Sequence, residues 1–495
     1  TGHGSVGSNV PDASVTEDEF KYICEVLPVD TSKLVDLRGK TPSDIKVDMN
    51  VLAHAGAPYF DPKIRLHDVI EEVGEEALTL YNLAAEGYST LKEYLTKTCP
   101  EKGLVILKNK RELSKRTNAF TKVRPYYVFP GALRLLFTCV HETYGDAVQN
   151  FWENPVSISA FRFSWLYGGA QRLLSFVKNS AKQGMGVYFL SWGDDQFWVI
   201  VCRNGDVVYT APDVVAMDMS LQKNTIVGAY GKKLIKDFSN NCDEVWKRII
   251  TLNIHYTYNH PTLMHHAIVM QKQTGVSSGV NGTTQVDMVG SARITYRAKP
   301  LLAKCADGNE ATIQMERVGR TIKDQLNMEF KPGTEKVHVW REGQENINCT
   351  FLGMRTAYIE IDGVKAVVPI PDIGKLACSL FYSATSKNDT MKLSALLTKC
   401  VGLCASGGYT SKLFYHTCKR TYDFYKNSTV PTDDLEWMGG RLPDELREFL
   451  DHEGVDITRE FPTRLWFMNL YLAEKVTTVQ AKPEKRRDSR LIDDA

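Results

Sequence analysis

The sequence lacks any apolar run approaching the ~20 residues that a membrane-spanning helix requires. It also lacks a charge excess: 60 Lys and Arg face 59 Asp and Glu, a formal charge of +1. No global field therefore draws it to nucleic acid or to a membrane surface, and any basic surface must be local. Cysteine is too sparse for a disulfide scaffold; the count of eleven is odd and runs from Cys24 to Cys418 without dense pairing. That usage fits a reducing compartment with free, mostly buried thiols. No Walker loop, dinucleotide fingerprint, Ser-His-Asp or Cys-His arrangement is present. The stretch Thr1–Ser8 has no apolar core behind a basic flank, so no signal peptide is expected there. Internal repeats are absent too. The expectation is a soluble, intracellular globular protein whose 495 residues suggest about three domains at ~150 residues each.

The clearest local structure lies between residues 186 and 210. The apolar run Gly186–Trp192, the turn residues Gly193-Asp194 and the apolar run Gln196–Cys202 read as a hairpin. Arg203-Asn204-Gly205-Asp206 is a second tight turn leading into Val207–Tyr209. Helical spacing recurs through Leu66–Leu95, near 219–252, from Thr283 onward, and from about 375 to Lys475, with Pro443 opening one helix. Residues 1 to about 18 and the charged tail from Val476 read as loose.

Asp194 and Asp195 stand side by side at the tip of that apolar hairpin. Gly-Asp is an ordinary turn pair. Two carboxylates on a buried hairpin, however, call for a divalent cation, and two such ions can activate a hydroxyl and stabilise a leaving phosphate oxygen. A third carboxylate on a neighbouring strand completes that arrangement. Asp213 and Asp218 both offer one. Val214–Met217 reads as an apolar strand running into Asp218, whereas Pro212 argues for a loop at Asp213, so Asp218 is the preferred ligand. Asp213 five residues earlier keeps open a register in which one acid serves metal and the other ribose. A small-residue loop, Ser277-Ser278-Gly279-Val280-Asn281-Gly282, then opens a helix at Thr283, which lets backbone and hydroxyls approach a nucleotide.

Between residues 108 and 124 stand seven Lys and Arg with one acid, Glu112. Alone, such a run is a solvated face. Cys400, Cys404, His416 and Cys418 fit no regular zinc spacing and read as packed thiols, while His260, His265 and His266 carry no specific signal.

Taken together, the Gly193-Asp194-Asp195 hairpin, the Asp218 segment and the Ser278-Gly279-x-x-x-Thr283 loop resemble motifs C, A and B of viral RNA-dependent RNA polymerases. Most such enzymes run A, B, C along the chain. Here C comes first, an order that resembles the birnaviruses and permutotetraviruses, and the Gly-Asp-Asp form is closer to the permutotetravirus branch. The resemblance covers about residues 105–385. It implies that Lys122 and Arg124, in a motif F-like segment, hold the triphosphate, that Phe351–Arg355 forms motif E, and that Lys331 or Lys336 matches the motif D lysine. Two departures stand out: Asp287 replaces the usual Asn that ends motif B, and in the Asp218 register Lys223 takes the place of the second motif A acid.

The resemblance implies an α+β right-hand polymerase with a permuted palm. The expected division is an N-terminal extension (1–50), fingers (51–185), palm (186–225), a fingers insertion (226–265), palm again (266–370), a helical thumb (371–475) and a tail (476–495). Its expected activity is template-directed transfer of ribonucleoside triphosphates onto a 3′-hydroxyl. Asp218, Asp194 and Asp195 would hold two Mg²⁺ or Mn²⁺ ions, and Lys122, Arg124, Ser278, Gly279, Thr283 and Asp287 would contact the nucleotide. RNA template and product are the expected partners, and a replication complex in the host cytoplasm the expected place. An N-terminal arm carrying Ser5 and Ser8 could approach the site or carry a nucleotide. A reverse transcriptase and a non-catalytic RNA-packaging protein are the alternatives. Lys122→Ala and Arg124→Ala are each expected to raise the KM for nucleotide several-fold while template affinity changes little; loss of RNA affinity alone, with a shallower salt dependence, would place these residues in a backbone groove instead.

Overall fold

The computed structural model describes residues 10–47, 49–51, 53–110, 124–264, 268–278, 282–381, 393–426, 455–457 and 460–472. Three sheets organise them. The first joins β1 (Val105–Lys110), β2 (Arg124–Val128), β6 (His260–Leu263) and β7 (Val269–Lys272) in the order β2-β1-β6-β7. The second, in the order β3-β4-β5-β8, contains β3 (Gly186–Trp192), β4 (Asp195–Val201), β5 (Val207–Thr210) and β8 (His338–Trp340). The third is the hairpin of β9 (Met354–Ile361) and β10 (Val364–Pro371).

Strand alternation in β4 explains how the layers assemble. Successive side chains leave a strand on opposite faces. Trp198 and Ile200 enter one apolar core with the helices Glu17–Val26, Ile70–Glu86, Gly131–Ala147, Glu244–Tyr258, Thr283–Leu302 and Gly308–Leu326. Phe197, Val199 and Val201 enter a second core with the helix Gly169–Gln183, the β9–β10 hairpin and the C-terminal helices, including Lys412–Lys426 and Arg464–Leu472. The sheet is apolar on both faces because both are covered, which is why its sequence reads as nearly continuous hydrophobic runs.

Several expectations meet the structure directly. Both turns of the 186–210 segment form: Gly193 and Gly205 adopt φ of 64° and 93°, a region that favours glycine. The helix predicted from Thr283 runs to Leu302 behind Gly282, whose own φ is 93°.

The N-terminal expectation is corrected. Residues 11–18 are not loose: Ala13 and Val15 pack against the first core, Ala13 N bonds Gln325 O, and Glu17 opens a helix whose Ile23 and Val26 are buried there. Strand β6, from the expected fingers insertion, pairs in parallel with β1, so segments more than a hundred residues apart build one sheet. Strand β7, expected in the palm, belongs to that sheet too. Ser5, Ser8, Pro443 and the tail from Val476 lie outside the described residues.

Candidate active site

The antiparallel register of β4 with β5 pairs Trp198 with Thr210 and Val199 with Tyr209. The same register continues past Pro212 to set Asp195 opposite Asp213. Gln196 N donates to Pro212 O at 3.2 Å, and Val214 N to Asp194 O at 3.2 Å. Pro212 therefore removes only one ladder bond, its missing N–H, and does not divert the chain. Asp213 sits in line with the hairpin tip.

This corrects the expected strand over Val214–Met217. Ala216 turns the chain in the left-handed region (φ 45°), and Met217–Ser220 forms one helical turn. Asp218 thus leaves the sheet and faces the helix Thr283–Leu302, close enough to Asp287 to raise that carboxyl. A short apolar run cannot be assigned to strand or helix by periodicity. Here Val214 and Met217 are apolar because both enter the first core, while Val215 is exposed.

The hairpin tip is fastened to the same helix. Ser291 Oγ donates to Gly193 O at 2.7 Å, and Gln196 Nε2 donates to Ser291 Oγ at 2.8 Å. From the other side the turn Phe351–Met354 arrives, with Leu352 and Gly353 at φ of 47° and 75°. Its Leu352 N donates to Asp195 Oδ1 at 3.2 Å. The segment expected as motif E therefore touches the hairpin acid. Of the two lysines considered for motif D, Lys331 reaches the site, with Nζ 3.1 Å from Asp213 Oδ2 and its backbone N bonded to Asp213 O at 2.7 Å.

Burial, Asp194 and Asp213 together push the Asp195 carboxyl up to about 7. Burial, then Asp218 and Asp194, raise Asp287 well above the usual carboxylate range. Asp287 Oδ1 is buried without a hydrogen-bond partner among the described residues. Around the loop before the helix, Ser278 O accepts from Tyr127 N at 3.0 Å, which ties that loop to β2, and Thr283 Oγ1 donates to Ser277 O at 3.3 Å. Arg124 begins β2, opposite Lys110. Lys122 and Gly279 lie outside the described residues.

Four contributors had no distinct signal in the sequence. Lys272 donates to Thr274 O at 2.7 Å and to Gly275 O, and lies over the Tyr127 ring. Burial drives its ammonium down to about 7 against the pull of Asp218. His260 shares a hydrogen bond with Ser277 Oγ at 2.7 Å, and Ser291 and Gln196 brace the tip. Only tertiary contact reveals such roles. Cys400, Cys404 and Cys418 are buried thiols of the second core, and His416 is exposed.

A family model, the permutotetravirus RNA-dependent RNA polymerase palm domain, matches residues 13–355. The chain belongs to the permutotetravirus RNA-dependent RNA polymerases. Solved birnavirus structures share its fold. A birnavirus VP1 in complex with VP3 superimposes with a TM-score of 0.70 at 15% identity, covering 98% of this chain and 69% of that one. The RNA polymerase VP1 from Infectious Pancreatic Necrosis Virus gives a TM-score of 0.68 at 14% identity with the same coverages. No curated protein matches the chain in sequence. The permuted right-hand fold and the RNA-directed RNA polymerase activity expected from motif order both hold, with RNA and nucleotides as substrates. Nothing in the comparisons supports the reverse-transcriptase or packaging alternatives. No described helix is long and apolar enough to cross a membrane.

The raised Asp195 carboxyl has a measurable consequence. Its folded value of about 7 exceeds its ordinary 3.8, so the contribution of Asp195 to stability is greatest below 3.8 and is lost as pH rises through about 7. Without divalent ions, Asp195→Asn should therefore be more stable than the parent near neutrality by on the order of 1–3 kcal/mol, with the gap closing near pH 4. Mg²⁺ should stabilise the parent and not the variant. Denaturant unfolding across pH checks this, and a gap that does not change with pH would contradict it.

Proposed function

We propose that Asp213, Asp194 and Asp195 are the metal ligands of this polymerase, and that Asp218 and Asp287 face the ribose of the incoming nucleotide. The supporting observation is the ladder pairing of Asp195 with Asp213, with Asp194 bonded next to it through its carbonyl. This reverses the preference for Asp218 as ligand and restores the register of two acids five residues apart. Among the described residues no three His, Cys, Asp or Glu side chains form a ready-made metal cage. The donor set nonetheless suits Mg²⁺ or Mn²⁺: it is all carboxylate oxygen, and Asp194 and Asp213 both disfavour the charged form of Asp195. Lys331 offsets part of the charge on Asp213.

When bound, two such ions would lower the pKa of the 3′-hydroxyl and stabilise the charge on the departing pyrophosphate. The protein's own part is placement. The hairpin tip is held by Ser291, Gln196 and Leu352, so its acids need little reorganisation as the 3′-oxygen bonds to the α-phosphorus and pyrophosphate leaves. Asp287 stands at the position where motif B of viral RNA-dependent RNA polymerases usually ends in Asn. A carboxyl kept protonated resembles an amide, offering one O–H donor and one acceptor. Together with Asp218 it can bond a ribose hydroxyl that a deoxyribose lacks. Ser278, Gly279 and Thr283 would contact the same nucleotide, and Lys122 and Arg124 would meet the triphosphate. All eleven cysteines are free, which supports the reducing host cytoplasm as the working compartment.

Single-nucleotide extension on an RNA template with Mg²⁺ tests the assignment, using ribo- and deoxyribonucleotides. Asp213→Asn and Asp194→Ala should lower kcat by at least about a thousand-fold with RNA binding intact. Asp218→Asn should stay active and lose roughly ten-fold or more of its ribose preference. A dead Asp218→Asn beside an active Asp213→Asn would reverse the assignment.

A further inference from the structure

The helix that carries Asp287 also carries Arg293, a guanidinium with no solvent exposure at all. Its partners come from two distant segments. Nε donates to Glu19 Oε1 at 2.7 Å and Nη2 to Ala13 O at 2.7 Å, both in the N-terminal segment. Nη1 donates to Thr225 Oγ1 at 2.8 Å, a few residues beyond Asp218. Arg297, one turn further on, also reaches Glu19, at 2.5 Å. Glu19 is 1% exposed and is the only acid that these two arginines contact among the described residues.

The N-terminal segment holds both sides of this junction. Asn224 donates to Asp12 through its backbone N at 3.2 Å and to Asp12 O through Nδ2 at 2.8 Å. Ala13 N donates to Gln325 O at 2.9 Å. Between Asp287 and Arg293 the helix approaches the Asp218 turn closely: a Cβ on Gly290 would stand 2.7 Å from both Leu221 Cδ2 and Met217 Cε. Three contacts in succession therefore join the helix to the 217–225 segment, namely Asp287 with Asp218, Gly290 with Met217 and Leu221, and Arg293 with Thr225. The last depends on a charge supplied from outside. A buried guanidinium without its counter-ion is strongly unfavourable, so loss of Glu19 would force Arg293, and the helix with it, to move.

We propose that the N-terminal segment Pro11–Glu19 is a positioning element of the nucleotide site: Glu19, acting through Arg293 and Thr225, sets the separation of Asp218 from Asp287. This rests on the reading that these two acids face the ribose. Glu19 does not touch substrate. Its effect is transmitted through the helix, so it belongs in KM and sugar preference more than in the rate of the chemical step.

The test uses the whole chain in single-nucleotide extension, with KM and kcat measured for matched ribo- and deoxyribonucleotides. Glu19→Gln keeps the shape and removes the charge. It should raise the ribonucleotide KM and narrow the ribose preference by about three- to thirty-fold with a smaller change in kcat. Thr225→Val, which removes one Arg293 acceptor and leaves Glu19 in place, should shift both in the same direction. The charge-free triple Glu19→Met, Arg293→Met and Arg297→Met should recover most of what Glu19→Gln loses, because no buried charge is left unpaired. Arg297→Met, which leaves the Arg293 contacts intact, should leave KM near the parent value. If Glu19→Gln and Thr225→Val lower only the unfolding midpoint, with KM and sugar preference unchanged, the network holds the fold alone and the proposal fails. An inactive parent chain would instead remove the functional reading beneath it.

Discussion

The site depends on one strand pairing that places like charges together. The β4–β5 register carries Asp213 to Asp195, next to Asp194 at the turn. Burial first, and then the neighbouring acids, disfavour the charged form of that row, as the raised Asp195 carboxyl shows. Both apolar cores must pack against the two faces of the sheet to hold the acids there. The strain of like charges is thus local, and the burial that opposes it is distributed over the whole molecule.

Chain permutation does not alter this geometry. In sequence the hairpin precedes the Asp213 strand, and the helix Thr283–Leu302 follows both. In space the helix closes over the tip through Ser291 and reaches Asp218 through Asp287. What matters physically is which groups meet, since a sheet can be threaded in more than one order with the same register. The N-terminal residues meet the same helix through Glu19 and Arg293 and the 217–225 segment through Asp12 and Asn224, while Leu352 reaches the hairpin tip.

Much of this was legible in the sequence, and for identifiable reasons. The 186–210 hairpins declared themselves because Gly193 and Gly205 sit where the turns require positive φ and the flanking runs are apolar. Motif order was readable because it needs no geometry. The choice between Asp213 and Asp218 was not. Pro212 looked like a strand breaker, yet it costs one ladder bond when its carbonyl still accepts from Gln196. Val214–Met217 looked like a strand because core-facing apolar residues look alike in a strand end and a helical turn. Glu19, Arg293 and Lys272 were invisible for a different reason: a charged residue reads as surface until its distant partner is known.

The most direct test of the central claim is anomalous diffraction from crystals of the chain grown with Mn²⁺ and a non-hydrolysable ribonucleotide. The account predicts Mn²⁺ density bound by carboxylate oxygens of Asp213 and the Asp194–Asp195 pair, with the ribose hydroxyl against Asp218 and Asp287. Density on Asp218, with Asp213 bound only to Lys331, would contradict it.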